Sequence, residues 1–216
     1  ASAAGFRDCG SVKLVLGEAD IVFSILPPGD ALVQAEQVAS EMSETGHTPP
    51  YFDCNAVSPE TAAKIGAVIE NAGAAYIDGG IVGNPPGASV PTRFFVSGSG
   101  AESMNIFDGK GVEIKQCGSE AGTASAIKMC YAGITKGTSA LHAAILMAAE
   151  KLDVSDELHK ELIYSQAAIY KRMESMTSAL PAVSDRYIGE MEEIAKTLGS
   201  VSIPTGFHQA SAELYT

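Results

Sequence analysis

The chain has 216 residues, 46% of them hydrophobic and 19% charged, which is enough for one large domain or two modest ones. Its 14 basic and 26 acidic residues leave a net charge of -12. With no basic run, this speaks against a nucleic-acid partner, because phosphate binding is driven by Lys and Arg. No apolar run approaches the about 20 residues that a membrane helix needs, so no membrane partner is expected.

The first apolar run, "ADIVFSILPP" (Ala19 to Pro28), stops at a proline pair and reads as a buried strand. A helix follows, with Leu32, Ala35, Val38, Ala39 and Met42 at helical spacing. "PYFDCNAV" is a second strand, closed by Asp53. "SPETAAKIGAVIENAG" carries its own helix boundaries: Ser58 as N-cap, Pro59 at the first helical position and Gly73 at the end. "AAYIDGGIV" is a third strand with another acid near its end, Asp78. After a Gly/Pro-rich loop come two more strands, "TRFFVSGS" and "VEIKQCG", around a short helix at Ala101 to Phe107. Alternating strands and helices predict an open, largely parallel α/β sheet.

From Ser119 onward nothing reads as a strand. Three or four helices are predicted: Ala121 to Leu152, Ser155 to about Ser175, Ser184 to Leu198, and Gly206 to the end. Ser155 before "DELHKEL" is the expected N-cap of the second. The fold class is therefore α/β plus all-α, with a Rossmann-like domain over 1–118 and a helical domain over 119–216 that begins with a long linking helix, 121–152. The cysteines Cys9, Cys54, Cys117 and Cys130 form neither a CxxC pair nor a Cys/His metal spacing. They read as buried reduced thiols, which fit a cytoplasmic, reducing compartment, and no metal site is expected.

Four stretches in order, "ADIVFSILPP", "FDCNAVSPETAAKI", "YIDGGIVGNPPGA" and "GTASAIKMCYAGITKG", resemble the 3-hydroxyisobutyrate and 6-phosphogluconate dehydrogenase superfamily. The likeness covers about Ala1 to Leu152. The helical remainder, through "RYIGEMEEIAKTL" and "PTGFHQASAELY", resembles its branch of phosphogluconate-dehydrogenase-like proteins from bacteria and fungi. The resemblance implies NAD or NADP as cofactor, a small-molecule substrate and a homodimer in which long helices pack between subunits. It also places the G-x-G-x-x-G phosphate loop upstream of Ala1. A chain truly starting at Ala1 would lack half the dinucleotide site, and the alternative is then a non-catalytic binding or scaffold protein.

The resemblance makes Lys128 the catalytic residue. Ala124, Tyr131, Ala132 and Thr135 share its helix face. That face is small enough for a substrate to lie against, and loss of water there lowers a lysine's pKa toward general acid–base use. A snorkelling surface lysine is the alternative. Asn55 and Ala56 stand where the family has Ser-Thr. Asn55 follows the C-terminal end of a parallel strand, where ligands bind, so both are expected at the cofactor and Asn55 also at the substrate. An Asx-turn is the alternative for Asn55. Leu26 and Pro27 would flank adenosine. Gly83 and Asn84 would offer backbone N–H groups to a substrate carboxylate. Tyr131 and His208 are further candidate substrate contacts. Gly133 and Gly137 point to a close helix crossing, since two glycines four apart weaken a helix.

Two departures stand out. The family's asparagine four residues after the lysine is Ala132, and its Ser-Gly-Gly is Val82-Gly83-Asn84. Tyr131 and the loss of the asparagine leave open an imine reductase in place of a hydroxyacid dehydrogenase.

Overall fold

The computed structural model describes residues 5–83 and 90–216. The chain divides into two compact units, Ala1–Met129 and Cys130–Thr216, and the boundary falls inside one continuous helix.

In the first unit five strands lie in the order β1 (Val22–Ser24), β2 (Tyr51–Asp53), β3 (Tyr76–Val82), β4 (Thr92–Ser97) and β5 (Val112–Gln116). β1, β2 and β3 pair in parallel, as the alternating pattern predicts. β4 runs antiparallel to β3, and β5 runs parallel to β4. The period of two places successive residues on opposite faces. Tyr51 and Tyr76 enter one core with Ala35, Val38, Met42 and Ile65. Their neighbours Phe52 and Ile77 enter the other with Val96 and Met104. A strand buried on both faces must be apolar throughout, which is why these short runs do not alternate with polar residues.

Helices α2 (Ala31–Thr45) and α3 (Pro59–Asn71) cover the first face. Ser58 caps α3 through its Oγ, which accepts from the Thr61 N–H, with Pro59 at the first helical position. A helix absent from the sequence reading precedes them, α1 (Val12–Glu18). It has only seven residues, too few for a clear period, yet Ser11 caps it and Leu16 anchors it in the core.

The helix α4 (Thr123–Lys151) links the two units. The helix expected from Ser155 to about Ser175 is instead two, α5 (Ser155–Ser165) and α6 (Ala167–Thr177). Gln166 leaves helical geometry at φ -137, ψ 36, and Tyr170 turns its hydroxyl onto His159 Nδ1 at 2.5 Å. The expected cap is also corrected. Val154 holds the N-cap position, and Ser155 Oγ bonds backward to Glu150 Oε2 at 3.1 Å. α7 (Ser184–Ser200) and α8 (Gly206–Leu214) complete the unit, α7 burying Met191, Ile194 and Ala195.

The glycine pair on α4 is explained within this second unit. A Cβ on Gly133 would meet His208 Nε2 at 3.3 Å, and one on Gly137 would meet Phe207 at 3.0 Å. The expected close helix crossing is thus the contact of α8 with α4. All four cysteines are free, but the expectation of burial is corrected: Cys130 is exposed on α4, and the other three are half-buried. Among the described residues no helix is long and apolar enough to cross a membrane.

Candidate active site

One row of polar residues crosses the sheet. Ser24 pairs with Asp53, Asp53 with Asp78, and Asp78 with Ser97, so four strands contribute one residue each. All four are buried. Buried polar groups persist only when their hydrogen bonds are met, and here they are met by the start of α4 and by the strand exits.

Asp78 receives most of these bonds. Its Oδ2 accepts from the Gly122 N–H at 2.9 Å, the Ser125 N–H at 3.0 Å and Ser97 Oγ at 2.9 Å. Its Oδ1 accepts from Ser125 Oγ at 2.6 Å. Ser97 Oγ also accepts from the Ala124 N–H at 3.0 Å. The first N–H groups of a helix have no partner within it and carry its positive end. A carboxylate and a hydroxyl from neighbouring strands satisfy them here.

The two glycines after Asp78 admit close neighbours on opposite faces of β3, Gly79 the Phe52 ring of β2 and Gly80 the helix α4. A Cβ on Gly79 would fall 2.0 Å from the Phe52 ring. One on Gly80 would fall 2.8 Å from the Ala124 carbonyl and 3.0 Å from Lys128 Cβ. The helix therefore lies directly on the β3 backbone, and Lys128 is delivered to the strand exit. Its Nζ donates to the Ile81 carbonyl, and the side chain is half-buried. The second lysine of interest on α4, Lys136, is used differently. It pairs with the buried Glu190 and lies over the Tyr187 ring at 4.6 Å, a structural ion pair within the second unit.

Asn55 ties the first two strand exits together. Its Nδ2 donates to Ser24 Oγ at 3.0 Å, and its Oδ1 accepts from the Leu26 N–H at 2.5 Å. Its own N–H donates to Asp53 Oδ1 at 3.0 Å, so the Asx-turn here belongs to Asp53. Ala56 beside it is half-buried, as is Leu26, while Pro27 is exposed. Leu26 reaches a cavity of about 650 Å³ along β1, lined by Val15, Leu16, Val22, Ile25 and Tyr51 among others. Lys128 is not part of that lining.

Gly83 follows β3 with φ 117, in the region that favours glycine, and is exposed. Asn84 lies outside the described residues. Tyr131 is exposed on α4 in the second unit. His208 is buried in that unit, its Nε2 facing the Gly133 carbonyl at 3.4 Å. Lys128 and Gly83 thus share the β3 exit, and Asn55, Leu26 and Ala56 lie at the exits of β1 and β2. The nearest glycine pattern, "GSGAES", follows β4, which runs the other way. Its Gly98, at φ 99, sits 2.7 Å (by its would-be Cβ) from the Tyr76 carbonyl at the opposite end of β3. Sequence reasoning missed Ser97, Ser125 and the role of Asp78. The available signal was a second acid inside an apolar strand, Asp78, which the register places opposite Asp53 although β3 continues four residues beyond it to Val82.

Burial pushes the Asp53 carboxyl up to about 6, opposed by the Asn55 N–H and aided by the neighbouring Asp78. The folded value exceeds the unfolded one, so between these pH values the folded state holds a proton that the unfolded state has released. The resulting stability is full below about pH 4 and is lost as pH rises through about 6. A difference of about 2 in pKa corresponds to about 3 kcal/mol. Asp53→Asn, which can still accept from Asn55, is expected to remove this part of the slope. Urea unfolding of both proteins at pH 4.5 and 7.5 checks it. An unchanged difference between the two pH values would contradict it.

Residues 149–216 match the family described as Domain of unknown function (DUF1932). A 28.5 kDa uncharacterised protein of Methanothermus fervidus, encoded in the 7S RNA 5' region, is 31% identical over 146 residues, 68% of this chain. The match spans 54% of that relative, so the chain corresponds to about half its length. The solved structure of the conserved protein MTH1747, of unknown function and described as similar to 3-hydroxyacid dehydrogenases, is 28% identical with a TM-score of 0.67. It covers 95% of this chain and 76% of that one. A Mycobacterium tuberculosis 3-hydroxyisobutyrate dehydrogenase, solved with L-serine, shares the fold at 19% identity and a TM-score of 0.68, over 97% of this chain and 76% of that one. The sheet with its helical partner unit, the C-terminal match and these likenesses agree with the motifs read in the sequence: the chain has the fold of the 3-hydroxyacid dehydrogenases and resembles the 3-hydroxyisobutyrate dehydrogenase-like proteins, and its residues 149–216 match DUF1932.

Proposed function

We propose that the chain serves an NAD(P)-dependent oxidoreductase that moves a hydride between nicotinamide and a small hydroxy or keto acid, with Lys128 as general acid and base. One observation carries this reading: a half-buried ammonium held at the exit of a parallel strand, where open α/β sheets bind ligands. The cofactor supplies the hydride chemistry. The chain supplies placement and the proton at Lys128 Nζ. On closure, loss of water around that ammonium favours its neutral form and eases proton transfer to and from a substrate oxygen.

The described residues fit the nicotinamide cofactor in part. Asn55 and Ala56 would face its nicotinamide side, and Leu26 and Pro27 its adenosine side. The bonds from Asn55 to Ser24 and to the Leu26 N–H support this, because they hold both strand exits in one fixed arrangement. Gly83 would orient a substrate carboxylate through its backbone N–H. His208 is taken up by packing and is left out of the site. The test is fluorescence titration of the protein with NADPH and NADH. Binding of either supports the reading, and binding of neither contradicts it.

A second reading, reduction of C=N bonds, is favoured by one observation. Ala132, where the family has an asparagine, is buried and offers no amide, while the Tyr131 phenol is exposed. Turnover of cyclic imines without turnover of 3-hydroxy acids selects it.

The partner we assign is a second copy of the chain. Tyr131, Ile134, Leu141 and Ile145 are exposed along α4, with Leu152 exposed just past its end, spaced by threes and fours through Thr138 and Ala148. That spacing is the seam of paired helices. Leu141→Glu is expected to turn a dimer into a monomer in analytical ultracentrifugation. A wild-type monomer at micromolar concentration would contradict the assignment.

A further inference from the structure

Lys128 is placed by a helix whose first turn is fixed from below by strand residues. Asp78 accepts from the Gly122 and Ser125 N–H groups and from Ser125 Oγ. Ser97 joins Asp78 to the Ala124 N–H. Four donors, the Gly122, Ala124 and Ser125 N–H groups and Ser125 Oγ, span the start of α4, and Lys128 stands one turn beyond Ala124. The same strand that carries Asp78 carries the Ile81 carbonyl that receives Lys128 Nζ. Both ends of the arrangement are therefore referred to β3. Loss of the bonds at Asp78 frees the helix to turn or slide, and the lysine then leaves the strand exit.

We propose that Asp78 is a positioning residue for the reaction, which acts with Ser97 and Ser125 by clamping the first turn of α4 so that Lys128 Nζ is held at the β3 exit. The proposal rests on Lys128 as the general acid and base. Asp78 is buried and its two oxygens are taken up by the α4 and Ser97 donors, so it acts through the helix. Its carboxylate only accepts hydrogen bonds, which matches a row of donors, whereas an asparagine would turn one donor toward them. A small displacement of a reacting group is costly, about 10²-fold for about 1 Å.

The test uses the full protein and two independent readouts. The first is the NMR signal of Lys128 after reductive ¹³C-methylation, assigned by its disappearance in Lys128→Arg. The second is turnover of the 3-hydroxy acids or imines that the wild type accepts. In Asp78→Asn the Lys128 signal is expected to move to the position of exposed lysines, and kcat to fall at least tenfold, with NADPH or NADH affinity unchanged. Ile69→Ala, a core truncation remote from α4, controls for lost stability and is expected to leave the signal in place. A Lys128 signal unmoved in Asp78→Asn, or one moved equally by Ile69→Ala, overturns the proposal. Retained kcat in Asp78→Asn beside a dead Lys128→Ala also overturns it, while the reading of the lysine stands. Retained turnover in Lys128→Ala removes the general acid–base reading, and the signal alone then decides whether Asp78 positions the helix. Should Asp78→Asn fail to fold, Ser125→Ala is read the same way, with a kcat loss of threefold or more expected.

Discussion

Lys128→Ala is expected to lower kcat by about 10² to 10⁴-fold, the range that a positioned acid–base group contributes, with cofactor affinity unchanged. The substitution removes a half-buried side chain at the β3 exit and leaves Asp78, Ser97 and Ser125 to hold the helix. The folded structure is therefore expected to persist, and circular dichroism should be unaltered. A general acid–base role also predicts that the pH profile of kcat changes shape, because one titrating group is gone. Comparable loss in Lys136→Ala through kcat alone would count against the assignment. That lysine belongs to an ion pair with Glu190 and is expected to affect stability first.

Gly80→Ala is expected to lower both stability and turnover. Its Cβ would lie 2.8 Å from the Ala124 carbonyl and 3.0 Å from Lys128 Cβ. The first contact is backbone, so the helix itself has to move. Overpacking of this kind costs about 1–3 kcal/mol. The displaced helix carries Lys128 with it, so turnover should fall by about 10²-fold beyond the stability effect. Thermal unfolding and kcat measured together separate the two. Wild-type kcat in a folded Gly80→Ala protein would show that α4 need not rest on β3 for activity.

Much of this architecture was legible in the sequence, for identifiable reasons. Strands buried on both faces read as short apolar runs, and Ser58, Pro59 and Gly73 mark α3 by local chemistry alone. The change at about Gly118 from strands to helices also came through. What escaped depends on contacts distant in the chain. Asp53 and Asp78 look alike in sequence, each an acid near a strand end. Only the strand register shows that Asp78 meets the first turn of α4, 44 and 47 residues later, while Asp53 meets Asn55 and Tyr76. Asn55 was legible as a residue at a strand exit. That its side chain reaches both Ser24 at the end of β1 and the Leu26 N–H just beyond required the sheet. The antiparallel turn of β4 follows a loop with no signal for direction, and the break at Gln166 shows no proline or glycine to announce it.

The measurement that bears most directly on the proposed chemistry is transfer of deuterium from nicotinamide deuterated at C4. The protein is incubated with deuterated NADPH or NADH and a panel of keto acids and cyclic imines, and products are read by mass spectrometry. One deuterium at the reduced carbon in the wild type, and about 10² or more less of it in Lys128→Ala, is the predicted result. Cofactor bound but no deuterium in any product, or equal deuterium with and without Lys128, would contradict it.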